Sequence, residues 1–123
     1  MAIQESGENY LETILILEKR NEVVRSVDIA KELHFSKPSV SRAVNVLKND
    51  GYIEIEKGGS IHLTTEGRKI AEQIYERHLL LTEYLIYIGV NEQTAMEDAC
   101  RMEHIISQET FDCLKKHLLL HKK

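Results

Sequence analysis

Only one proline, Pro38, and six glycines interrupt this 123-residue chain. That leaves little room for long irregular segments and points to a mainly α protein. Cysteine is also scarce: Cys100 and Cys113 are too few for a disulfide framework, so reduced thiols and a cytoplasmic location are expected. No apolar run approaches the ~20 residues that cross a bilayer, so no membrane partner is expected. The opening Met1-Ala2-Ile3-Gln4-Glu5 lacks the basic segment and apolar core of a secretory signal. No HExxH helix, nucleophile elbow or phosphate-binding loop occurs, which argues against an enzyme.

Positive charge is in overall deficit, with a formal net charge of −4, and a nucleic-acid partner would have to be recognised by a local basic region. The distribution allows that. Between Lys19 and Lys69 ten lysines and arginines face seven acids, whereas the rest of the chain has six against thirteen.

Apolar periodicity then sets out the elements. Leu11, Ile14, Leu15 and Leu17 recur at helical spacing over Glu8 to Lys19, and Asn21-Glu22 stops that helix. Ser26 is the expected N-cap of a second helix carrying Ile29, Ala30 and Leu33, and Ser36 that of a third, with Pro38 in its first turn. Val40, Ala43, Val44 and Leu47 continue until Asn49-Asp50-Gly51. Tyr52 to Glu56 alternates as a half-buried strand, Lys57-Gly58-Gly59-Ser60 turns, and Ile61-His62-Leu63 returns. Thr64 or Thr65 opens a long helix to about Gly89. Asn91 caps another, predicted over Glu92 to Ile106, and Ser107 starts the last.

The order is that of a winged helix-turn-helix. Its third helix would enter the major groove, placing Ser36, Lys37, Pro38, Ser39 and Arg42 at DNA, with Lys57 of the wing over an adjacent backbone. Serine hydroxyls bond phosphates or bases, lysine neutralises phosphate, and Arg42 offers a bidentate fork to a guanine edge. A protein-binding winged helix would carry the same residues as an ordinary solvated helix start.

A second constellation follows. Cys100, Glu103 and His104 stand at i, i+3 and i+4, one face of a predicted helix. A sulfur, a carboxylate and an imidazole make a partial shell for a divalent transition metal. Further donors could come from His78, or from Glu8, Asn9 or Glu12 on the first helix. Spacing alone leaves this open, since a lone cysteine is commonly a small buried hydrophobe and a Glu–His pair a solvated face.

The stretches Glu97 to Ser107, Glu8 to Ile14, Ser36 to Ser41 and Arg77-His78 resemble the diphtheria toxin repressor family of metal-dependent transcriptional repressors, over about Glu8 to Leu118. The chain ends where longer members carry an SH3-like domain, similar to the short manganese transport regulator branch. The resemblance implies a winged helix-turn-helix DNA-binding domain (residues 1–72) and a helical metal-binding and dimerisation domain (residues 73–123). It implies a dimeric repressor that binds palindromic double-stranded operator DNA, controls metal-homeostasis genes and is activated by Fe²⁺ or Mn²⁺. Other divalent transition metals are expected to bind in vitro.

Residue by residue, Glu103 and His104 match family ligands, and His78 matches a histidine ligand of both branches. Glu12 matches a glutamate ligand of the manganese branch. Cys100 matches the cysteine of the iron branch, where the manganese branch has glutamate. Asn9 stands where the branches have Met or Asp, Met96 where iron regulators have an ancillary His, and Thr82 where a carboxylate is usual. Asn9 or its neighbour Glu8 is the remaining candidate ligand. Apolar residues of the last two helices, among them Ile105, Phe111, Leu118 and Leu119, suit a dimer contact. The rival reading is a winged-helix repressor switched by a small organic ligand or by cysteine redox at Cys100.

Overall fold

The computed structural model describes residues 5–21 and 23–121. Met1 to Gln4 of the leader reading, Glu22 of the first helix stop and the Lys122-Lys123 tail lie outside them. Six helices and one hairpin follow in the order α1 Glu5–Arg20, α2 Ser26–Leu33, α3 Lys37–Asn49, β1 Ile53–Ile55, β2 Ile61–Leu63, α4 Thr65–Tyr87, α5 Glu92–Met102 and α6 Gln108–His121. The chain divides into two compact units, Met1–Glu72 and Gln73–Lys123, and the division falls within α4.

In the first unit the apolar stripe of α1 supplies Leu11, Ile14, Leu15 and Leu17, all buried with Ile29, Val40, Val44 and Leu47 of the next two helices. The turn between α2 and α3 is made by His34, which takes the left-handed conformation (φ 59°, ψ 38°), while the Phe35 amide returns to the Ala30 carbonyl at 3.1 Å. Ser36 caps α3 as expected: its Oγ accepts from the Ser39 amide at 3.3 Å, and Pro38 sits in the first turn, where no amide hydrogen is needed.

The second cap differs from the expectation. Helix α2 already includes Ser26, and Arg25 is its N-cap. The reason is Asp28, whose carboxylate accepts the Arg25 amide at 2.9 Å, with the Asp28 amide on the Arg25 carbonyl at 2.9 Å. Two local bonds moved the start one residue earlier than a serine hydroxyl would have set it.

The hairpin is antiparallel, pairing Ile53 with Leu63, Glu54 with His62 and Ile55 with Ile61. Ile53, Ile61 and Leu63 point into the core. The link before α2 also joins it, since the Ile61 amide donates to the Val24 carbonyl at 2.8 Å. Thr64 opens α4, its Oγ1 accepting from the Gly67 amide at 3.1 Å and donating to the Gly51 carbonyl at 2.7 Å. Gly67 is required there, because a Cβ would collide with the Tyr52 carbonyl.

In the second unit Ile74 and Leu81 of α4, Ala95 and Ala99 of α5, and Phe111 and Leu118 of α6 are buried. Helix α5 starts at the Asn91 cap, whose Oδ1 accepts from the Gln93 and Thr94 amides at 2.9 and 3.4 Å. It stops at Met102 rather than at the expected Ile106. Beyond it the Ile105 and Ile106 amides both turn back to the Met102 carbonyl, at 3.1 and 3.2 Å, and Ser107 restarts the chain by accepting from the Thr110 amide at 3.0 Å.

Candidate metal centre and nucleic-acid interface

The short end of α5 places two of the candidate ligands in a turn. Glu103 is the C-cap, still with helical dihedrals (φ −60°, ψ −24°) and its amide on the Ala99 carbonyl at 3.0 Å; His104 follows it. Arg77 of α4 holds this turn. Its Nη1 donates to the carbonyls of Glu103 and Ile106, both at 3.0 Å, and its Nη2 donates to Gln108 Oε1 at 2.9 Å. The guanidinium also lies 5.4 Å from the centre of the buried Phe111 ring. Carbonyls at a helix end lack intrahelical partners, and Arg77, the residue just before His78 on α4, supplies them.

With the turn fixed, Glu103 is wholly buried, with 0% relative exposure. Its Oε2 lies 2.9 Å from His78 Nδ1 and its Oε1 3.4 Å from His104 Nε2. Oε1 accepts no hydrogen bond among the described residues. His104 has a buried side chain, and His78 keeps 23% of its side-chain surface. A carboxylate out of water needs compensating positive charge nearby. A buried carboxylate with an imidazole beside each oxygen, one of those oxygens accepting no hydrogen bond among the described residues, matches the oxygen-plus-imidazole chemistry of a borderline divalent cation, so these residues fit the metal that the resemblance implies.

The remaining candidates are carried by α5 and α1. Cys100, one turn before Glu103, is exposed and lines an open groove with His78, Gln93, Met96, Glu97 and Arg101. Cys100 thus lies at the surface while Glu103, three residues on, is buried, and His78 neighbours both. In the first unit Glu12 is buried on α1 at 5% exposure, while Glu8 and Asn9 are half-buried. The Asn9 carbonyl accepts from Thr13 Oγ1 at 2.8 Å. Tyr10, beside them, packs on Phe35 with ring centroids 6.0 Å apart, and burial pushes its phenol above the usual value.

The nucleic-acid candidates lie in the first unit, on the start of α3 and on the wing. Ser36, Lys37, Pro38, Arg42 and Lys57 are exposed and Ser39 is half-buried. Ser36 Oγ donates to Ser39 Oγ at 2.8 Å, and Arg42 Nη2 donates to the same oxygen at 3.4 Å, so the three form one polar row. Asn45, exposed one turn beyond Arg42, extends that row; polar residues at three-residue spacing were its signal in the sequence. Arg25 was also missed. Its Nη1 donates to the Gly58 carbonyl at 2.8 Å, tying the wing tip to the start of α2, and no local pattern announces a contact across 33 residues.

Comparisons with known proteins agree across the chain. The profile described as iron-dependent repressor, N-terminal DNA binding domain, matches residues 2–61, and that of the iron-dependent repressor metal binding and dimerisation domain matches residues 64–121. The chain is 35% identical over 108 residues to the transcriptional regulator MntR of Escherichia coli O6:H1, covering 88% of this chain and 70% of that protein. It is 37% identical over 107 residues to the HTH-type transcriptional regulator MntR of Geobacillus thermodenitrificans, covering 87% and 76%. Among solved structures, that of the manganese regulator SloR superposes with a TM-score of 0.82 at 28% identity, over 99% of this chain and 56% of that one. The chain therefore spans little more than half the length of that structure. No described helix is long and apolar enough to cross a membrane. With both halves matched in order, the chain belongs to the iron-dependent repressor family, whose members pair a DNA-binding domain with a metal-binding and dimerisation domain.

Proposed function

We propose that this chain is a metal-dependent transcriptional repressor, in which Mn²⁺ or Fe²⁺ controls how tightly a dimer grips a palindromic operator. The observation that carries the reading is the Glu103 carboxylate, buried between His78 and His104 in a chain whose first unit is a winged helix-turn-helix. Residues 1–72 act as the reading domain and residues 73–123 as the metal-binding and dimerisation domain.

Glu103, His104 and His78 are the core ligands. Glu12, a buried carboxylate on α1, and Cys100, Asn9 or Glu8 complete the set. The bound ion supplies the positive charge that converging carboxylates lack. Glu12 belongs to the helix on which the reading module packs, and the three core ligands to the dimerisation domain. Shared coordination then limits how far the two recognition helices stray from the ~34–36 Å spacing of half-sites one helical turn apart. Ser36, Ser39 and Arg42 read the groove, Lys37 and Lys57 hold phosphate, and Pro38 fixes the first turn of the reading helix. Exposed Ile86, Tyr87, Ile88 and Ile105 supply apolar surface for the partner subunit. Metal and operator tighten one another by the same factor, of order 1–3 kcal/mol. The expected location is the cytoplasm, and the regulated genes are those of metal homeostasis.

The test is anaerobic and reducing. Duplexes selected from a random library by the Mn²⁺-loaded protein are titrated with protein plus Mn²⁺, Fe²⁺, Zn²⁺ or no metal. Mn²⁺ or Fe²⁺ should raise affinity, and Glu103→Ala or His104→Ala should remove the gain. Operator binding of equal strength without metal rules the switch out. Exposed Cys100 in its groove with His78 and Met96 favours one second reading, a thiol-redox switch. Reversible oxidation of Cys100 that changes operator affinity while metal does not would select it.

A further inference from the structure

Helix α6 carries two histidines one turn apart that the metal centre does not use. His117 and His121 are both exposed, with ring centroids 4.4 Å apart and planes inclined by 48°. Residues four apart share a helix face, so one nitrogen from each ring can reach a single ion at the ~2.0–2.1 Å of a Zn–N bond. One ring is already oriented. The Tyr84 hydroxyl of α4 lies 2.9 Å from His117 Nδ1, and the two ring centroids are 5.7 Å apart. When Nδ1–H donates to the phenol oxygen, the lone pair of His117 is on Nε2. Such an outer partner sets the tautomer and direction of a ligating imidazole.

We propose that His117 and His121 chelate a borderline divalent cation, Zn²⁺, Ni²⁺ or Cu²⁺, at a solvent-facing site separate from the regulatory centre. Tyr84 is its positioning residue, and water fills the remaining positions. Two imidazoles, and the rank of these ions in the affinity series, select them over Mn²⁺. Cys113 lies one turn before His117 but two turns, about 12 Å of helix rise, before His121, so it cannot share an ion with both. A histidine in the last turn also suits the helix dipole, but that role explains neither the second ring one turn earlier nor the Tyr84 contact.

Untagged full chain, saturated with Mn²⁺, is titrated with Ni²⁺ by calorimetry beside the H117Q/H121Q double variant. The wild type should take up one more equivalent than the variant. Cu²⁺-loaded wild type should give an electron-paramagnetic signal with two-imidazole nitrogen coupling that the variant lacks. Y84F should keep the stoichiometry and bind Ni²⁺ about tenfold more weakly. Equal stoichiometry in wild type and double variant overturns the site, and unchanged affinity in Y84F overturns the positioning role. Operator binding with Mn²⁺ should be unaltered in the double variant, so failure here is distinct from failure of the regulatory reading.

Discussion

Ser36, Ser39 and Arg42 form a row at the solvent-facing start of α3, whereas Glu103 is sealed between two imidazoles in the second unit. Both sets are polar, yet their working conditions are opposite. A groove reader must stay hydrated until DNA arrives, and its side chains cost the fold little while they wait. A buried carboxylate is costly from the moment the chain folds. On the proposed function, the DNA-reading row of the first unit lies outside its core, whereas the Glu103 carboxylate of the second is built into its core.

That contrast can be broken most forcefully at Ile29, which is fully buried in the first unit. Ile29→Ala should cost about 2–5 kcal/mol in denaturant unfolding of the first unit. If the second unit's core is separate, hydrogen exchange of α5 and α6 amides should change little. Next comes Glu103→Gln. It should abolish the metal-induced rise in stability, about 2.7 kcal/mol when free metal is a hundred times Kd, as read from Tm with and without Mn²⁺. A retained rise would place the cation elsewhere. Arg42→Ala should weaken operator binding by about 1–3 kcal/mol, mainly at one base position, without moving Tm. Smallest is Ser36→Ala, which removes a cap worth about 1 kcal/mol. It tests whether the start of α3 serves the fold as well as DNA, because Tm and operator affinity should fall together.

The same contrast explains what could be read from the chain. Caps, turns and alternation are local, and the first unit is built on them: Ser36 with Pro38, a threonine at 64 or 65 opening α4, and the Ile53–Ile55 and Ile61–Leu63 strands all followed from nearest neighbours, the structure choosing Thr64. Where a competing local bond existed, as between Asp28 and Arg25, the start of α2 moved by one residue. The second unit depends on contacts distant in sequence. Periodicity carried α5 to Ile106, but Arg77, 26 residues before Glu103, takes up the carbonyls of the following turn. Cys100, Glu103 and His104 stood out as candidate donors by type and spacing, while the depth at which each sits did not, because burial depends on what packs over a turn. Exposed Leu119 and Ile105 beside buried Phe111 and Leu118 follow the same rule: hydrophobicity marks a side chain as available for contact without saying which surface covers it.

The grip of Arg77 on the Glu103 and Ile106 carbonyls has a consequence for how such proteins diversify. A main-chain oxygen is present whatever amino acid occupies the position, so the clamp is indifferent to the side chains it displays. On the proposed function, replacements at 103 or 104 would exchange one donor atom for another while the clamped turn keeps its shape. Ion preference could then drift by single substitutions, with the scaffold inherited intact.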